Sequence, residues 1–171
     1  MSENERPDIK VTYTKKYLFI DIFSLLGIIL MALAAFVAYR YLPETFPIHF
    51  DLAGNSNGYG GPGEFLKGSL MLCAIQLVMW IGFSALRLFP RVYNFPVEIT
   101  DGNAAVQYKL AVDLLLYLKA GIVFLFMVIE ASMIWSAFSG NASYVFAAIL
   151  LPLILLAYFI ISFTRKSLQN R

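Results

Sequence analysis

The sequence predicts an all-α, polytopic integral membrane protein: four transmembrane helices with an irregular extracytoplasmic loop cap. Three observations carry that prediction. Of the 171 residues, 60% are hydrophobic and only 14% charged, whereas a soluble domain has about a quarter of its residues charged. So few charges cannot cover a core with a water-facing shell. Mean hydropathy is +0.71, which excludes a disordered chain, since such chains stay unfolded for want of apolar surface to bury. Finally, four apolar runs approach or exceed the roughly 20 residues that a helix needs to cross the hydrocarbon layer.

The first run, Tyr17–Tyr39, carries one charge, Asp21, near its start. Its basic lead and the triplet Ala32-Leu33-Ala34 resemble a secretory signal, but the apolar stretch continues through Val37 and Tyr39. An uncleaved anchor is the expectation. An outer loop follows over 40–65, and a second helix over 66–88 contains the uncharged run Gly68–Leu86. Pro90 and Pro96 then end the helix and hold the loop 89–101 extended. Thr100 is placed to cap the third helix, with Asp101 in its first turn. Ala105, Tyr108, Val112 and Leu115 recur at helical spacing, so this helix spans 102–138 around the run Leu114–Phe138. Lys109 and Asp113 lie four apart and can pair on its surface. The fourth helix, 144–164, contains the run Tyr144–Phe163 and is interrupted by Pro152. Within lipid no backbone group can stay unpaired, so each run must be helical.

Charge distribution sets the orientation. The N-terminal segment (Arg6, Lys10, Lys15, Lys16), the middle loop with its flanks (Arg87, Arg91, Lys109, Lys119) and the tail (Arg165, Lys166, Arg171) hold 11 of the 13 basic residues. Arg40 and Lys67 flank the outer loop. The bias places both termini and the middle loop in the cytoplasm. Asp21 and Lys119 each read as interfacial charges that reach back to water. Phe89, Tyr93 and Phe95 suit the headgroup layer, so membrane anchoring accounts for the middle loop, with partner binding as the alternative. The net charge of +2 gives no reason to expect nucleic acid, and the single cysteine, Cys73, excludes an intramolecular disulfide.

The outer loop holds three of the seven prolines and five of the eleven glycines. Pro43 and Pro47 block helix, Ile48-His49-Phe50 reads as extended, and Asn57-Gly58 is a turn signal. A compact cap over the helix ends is expected, and loops of such specific chemistry often carry function. Pro47, His49, Asp51, Gly54, Asn57, Gly58 and Tyr59 are the candidate recognition residues. Asn55, Asn57, Gly58 and Glu64 match four positions of a calcium-loop template, but alanine stands at its first acidic position. His49 and Asp51 could share a face, yet two ligands without a third do not define a metal site. No metal and no cofactor is assigned.

Intramembrane polar residues are functional candidates by default. Glu130, Gln76 and Pro152 each lie eight residues from the outer end of their run, which puts all three about 12 Å below the outer surface. Pro152 frees the carbonyl of Ala148. Glu130 is expected to point inward and bond Gln76 or that carbonyl. Such a layer is either interhelical glue or a site that responds to a proton or ligand.

Leu42-Pro43-Glu44-Thr45-Phe46-Pro47-Ile48-His49-Phe50-Asp51, followed by Gly54 and Asn57-Gly58-Tyr59-Gly60, resembles the signature of a bacterial and archaeal membrane domain of unknown function. That domain also forms the N-terminal part of Sdp-type immunity proteins. Asn57 stands where the family pattern has an acid, and Gly61-Pro62-Gly63 replaces a more polar continuation. Asn94-Phe95-Pro96-Val97-Glu98-Ile99-Thr100, with Asn103-Ala104 and Gln107-Tyr108, is similar to stand-alone members of the same group. The resemblance implies a role in immunity to, or signalling by, a secreted peptide toxin. Sdp-type proteins couple this domain to further helices for which this chain has no room.

The residues themselves imply a non-enzymatic binding or sensing module of the cell membrane. Its outer loop would be the recognition surface, and a peptide or protein its partner class. His49, the single histidine, has no nucleophile or ligand set about it.

Overall fold

A computed structural model describes residues 6–51, 55–140 and 145–171. Four long helices and one β-hairpin make up the fold: α1 (Lys15–Tyr39), β1 (Phe46–Phe50), β2 (Ser56–Gly60), α2 (Pro62–Leu86), α3 (Ala104–Ser139) and α4 (Val145–Gln169). All four helices are long and apolar enough to span a membrane. The chain is an all-α multi-pass membrane protein. In packing order the helices run α2, α1, α3, α4, with α2 and α3 also in contact.

Helix ends differ from the sequence expectation for local reasons. Thr14 caps α1 by accepting the Tyr17 N–H at 3.4 Å, which starts that helix at Lys15. Pro62 opens α2 four residues before the expected 66, because Glu64 reaches back to accept the Gly61 N–H at 2.7 Å. This reciprocal contact satisfies one of the donors that a helix start leaves free. Thr100 is not the cap of α3. Its carbonyl opens a turn by accepting the Ala104 N–H at 2.9 Å, and Asn103 is the boundary residue. The Asn103 side chain accepts the Thr100 N–H and donates to the Glu98 carbonyl, both at 2.9 Å. A 3-10 turn, Pro90–Val92, lies in the loop before it.

At the end of the bundle that holds both termini, α4 continues to Gln169, beyond the expected 164. Gln107, fully buried on α3, donates to the Ser167 and Asn170 carbonyls at 2.9 and 3.0 Å and accepts the Ser167 hydroxyl at 2.6 Å. These bonds hold the last turn of α4 in place. The segment before α1 packs over the start of α3, where Tyr108 donates to the Pro7 carbonyl and Arg6 to the Arg91 and Tyr93 carbonyls. The expected Lys109–Asp113 pair forms at 2.8 Å.

Small residues permit close helix approach. A Cβ on Gly27 of α1 would meet Val123 of α3 at 2.7 Å, and one on Gly121 of α3 would meet Leu156 of α4 at 2.6 Å. In lipid, where burial of apolar surface no longer drives association, such contact is a main source of helix affinity.

The expected irregular cap is instead an antiparallel hairpin, with Phe46 opposite Gly60, Pro47 opposite Tyr59, His49 opposite Gly58 and Phe50 opposite Ser56. Two register irregularities interrupt the pairing. The prolines that argue against a central strand are tolerated here because a two-stranded ribbon has only edges.

Candidate functional site

The hairpin is rooted by Phe46. Its ring packs among Ala35, Ala38 and Leu42, against Phe65 of α2 and beneath Met133, Ile134 and Ala137 of α3. Phe46 and Phe65 meet edge-on, with centroids 6.0 Å apart. The alanines of α1 leave the space that the ring fills. One residue further on, the chemistry faces outward. Tyr59 is 63% exposed, with Pro47 as its cross-strand neighbour. His49 is exposed as well, and its ring lies over Gly58, where a Cβ would meet it at 2.9 Å. Asp51 folds onto Asn55, accepting its backbone N–H at 2.8 Å and its side-chain amide at 3.2 Å. Those bonds brace the turn between the strands. The structure thus brings Pro47, Tyr59, His49 and Gly58 together on one ribbon. Asn57 is exposed beside them, Asp51 sits at the turn, and Gly54 lies outside the described residues.

Beneath the hairpin, Glu130 and Gln76 are both buried, at 5% and 2% exposure, but they are not bonded to each other. Gln76 donates to the Met31 sulfur at 3.4 Å, and its carbonyl oxygen has no partner. Both Glu130 oxygens are unpartnered too, so the expected bond to Gln76 or to the Ala148 carbonyl is not made. The Ser69 hydroxyl is the polar group that Glu130 faces on α2, outside hydrogen-bond geometry, with Cys73 one turn further along. Gln76 lies seven residues, about two turns, further along α2 than Ser69, and so below Glu130 rather than level with it.

Nearer the termini, the structure corrects the reading of Asp21 and Lys119. They do not reach separately to water. The Lys119 ammonium forms a buried ion pair with the Asp21 carboxylate, joining α3 to α1. Around it, Tyr13 donates to Asp21 Oδ2 at 2.8 Å, Lys119 donates to the Ser84 hydroxyl at 3.1 Å, and the Trp80 indole N–H donates to the Asp21 carbonyl at 3.2 Å. Lys119 Nζ also lies 4.8 Å from the Trp80 ring centre, and Arg87 stacks over the Tyr13 ring at 4.2 Å. Burial, then the bond to Asp21, hold the Tyr13 phenol above its ordinary pKa, so it remains a donor. Three helices and the N-terminal segment therefore meet at one satisfied charge pair. The signal available in the sequence was a lone acid and a lone base, each set inside the same end of its apolar run.

Hairpin, bundle and intramembrane polar groups together define a four-helix multi-pass membrane protein with a structured cap. Over residues 26–68 the chain matches the model of a domain of unknown function, DUF1648. That stretch takes in the C-terminal part of α1, the hairpin and the first turns of α2, or 43 of the 171 residues. No curated protein and no solved structure matches the chain.

Proposed function

We propose that the protein is a non-enzymatic binding or sensing module of the cell membrane, in which the hairpin is the recognition surface and the four helices are its scaffold. The observation that carries this reading is the contrast across β1. Phe46 is locked among three helices, while His49 and Tyr59 stand in the open on a short ribbon that also carries the half-buried Pro47. Anchored backbone with exposed aromatic and imidazole side chains is suited to recognition, because little conformational freedom remains to be lost on binding. The bias of basic residues places the termini in the cytoplasm and the hairpin outside. Reporter fusions at Asn57 and Arg171 should give opposite compartments, and matching signals would overturn that orientation.

Recognition is tested with a photo-crosslinking residue at Tyr59 in native membranes, compared with one at Val78, which is 70% exposed on α2. A discrete peptide or protein adduct at 59, absent at 78 and lost in His49→Ala, is the expected result. Lipid adducts alone at both positions would end the recognition reading.

A second reading is immunity or signalling against a secreted peptide toxin. It is drawn from the resemblance to Sdp-type immunity proteins, and what favours it is that the stretch 26–68 contains the whole hairpin. A deletion strain sensitised to a peptide secreted by its neighbours, and rescued by the wild type but not by Tyr59→Ala, would support it.

A further inference from the structure

At the end of the bundle holding the termini, α1 and α4 flank α3 with no extensive packing on each other among the described residues. Between them lies a groove of about 330 Å³ over the face of α3. Its floor is a stacked pair, Tyr117 and Phe159, with centroids 4.8 Å apart and planes within 16°. Lys16 forms one side, its ammonium 4.9 Å from the Tyr117 ring centre. Lys166, Ser162 and Tyr158 form the other, from successive turns of α4.

The two lysines of this groove differ in how far they are committed. Asp113 borders it and pairs with Lys109 at 2.8 Å and with Lys16 at 3.5 Å, the longer and more readily exchanged of the two contacts. Lys166 is exposed and makes no ion pair among the described residues. Two ammonium groups on long stems, from two helices, therefore look across one cavity. Polarity also changes along it. Lys16 is the second residue of α1 and Lys166 lies in the last turn of α4, so the mouth is at the membrane boundary. Tyr158 is eight residues nearer the bilayer centre than Lys166, or about 12 Å at the helical rise. Beyond it α4 presents exposed Leu151, Ile154 and Leu155. Cationic mouth, aromatic middle and aliphatic continuation follow the order of headgroup, glycerol and acyl chain in a phospholipid.

We propose that this groove is a binding site for one anionic glycerophospholipid, its phosphate between Lys16 and Lys166, its glycerol beside Ser162 and Tyr158, and an acyl chain along α4. Basic pockets between helices at a membrane face are suited to such headgroups. A small soluble anion would meet the two ammoniums but leave the aromatic floor unused. The site is independent of the hairpin and of any partner bound there.

The test uses the full-length protein in mild detergent, with bound lipid read by native mass spectrometry and melting temperature read in parallel. Phosphatidylglycerol, phosphatidylcholine, glycerol phosphate and inorganic phosphate are added separately. Phosphatidylglycerol should be retained at one molecule per chain and raise the melting temperature, while the other three have little effect. Each lysine supplies about a fivefold gain in affinity for an anionic lipid. Lys166→Gln should therefore weaken retention roughly fivefold, and Lys16→Gln with Lys166→Gln about 30-fold. Lys67→Gln, at the opposite end, should leave it unchanged. Because Lys166 has no other ion pair to lose, its variant must fold like the wild type. Equal retention of phosphatidylcholine, an unchanged double variant, or equal stabilisation by free phosphate would each overturn the proposal.

Discussion

Single residues decide the energetics where charge meets lipid. The Lys119 and Asp21 side chains are 2% and 9% exposed. Removing one partner of a buried pair strands the other, at a cost of about 3–5 kcal/mol. Lys119→Met should destabilise the protein by that amount in detergent unfolding titrations, and Asp21→Leu in the same background should restore much of the loss. A double variant no better than the single one would show that the loss comes from the missing pair itself and not from a stranded Asp21 charge. Glu130 behaves oppositely, because it has no partner to strand. Glu130→Gln keeps the shape and removes the ionisable group, so folding should be retained within about 1 kcal/mol of wild type. A fully folded Glu130→Gln protein with unaltered activity would dismiss the proton-responsive alternative and leave a packing role. The sequence revealed that these three residues lie in apolar runs. It did not reveal which were paired, because α1 and α3 run parallel with residues 98 apart in register, an offset that only helix packing sets.

Among the elements, the helices were legible because lipid allows an uncharged run of this length no other conformation. Their ends were less so. Glu64 extends α2 backward and Gln107 holds α4 beyond its apolar run, and both act through a side chain that reaches a neighbouring backbone. The hairpin was legible only as extended residues and a turn signal. Its pairing depends on His49 lying over Gly58 and on Phe46 filling a three-helix niche, the second a contact between segments far apart in the chain. Phe46→Ala should therefore cost about 3–5 kcal/mol and loosen the whole ribbon, read as faster amide exchange at Ile48 to Phe50 and Ser56 to Tyr59. Protection equal to wild type would mean that the turn bonds of Asp51, and not the root, hold the hairpin.

Across the whole molecule, polar groups are unevenly placed. The termini end is tied by Gln107 to Ser167, by Arg6 to the middle loop and by Lys119 to Asp21, with Arg87 Nε left unpartnered there, whereas Gln76, Glu130 and Ser136 each bury a polar oxygen without a partner. Packing is uneven as well: α4 rests on α3, while α1 meets both α2 and α3. That arrangement bears on biosynthesis. Every helix contributing to the Asp21–Lys119 cluster precedes α4 in the chain, so the charged groups can neutralise each other before α4 is inserted. The last helix then arrives as a latch on a bundle already assembled, and the Gln107–Ser167 bonds close it.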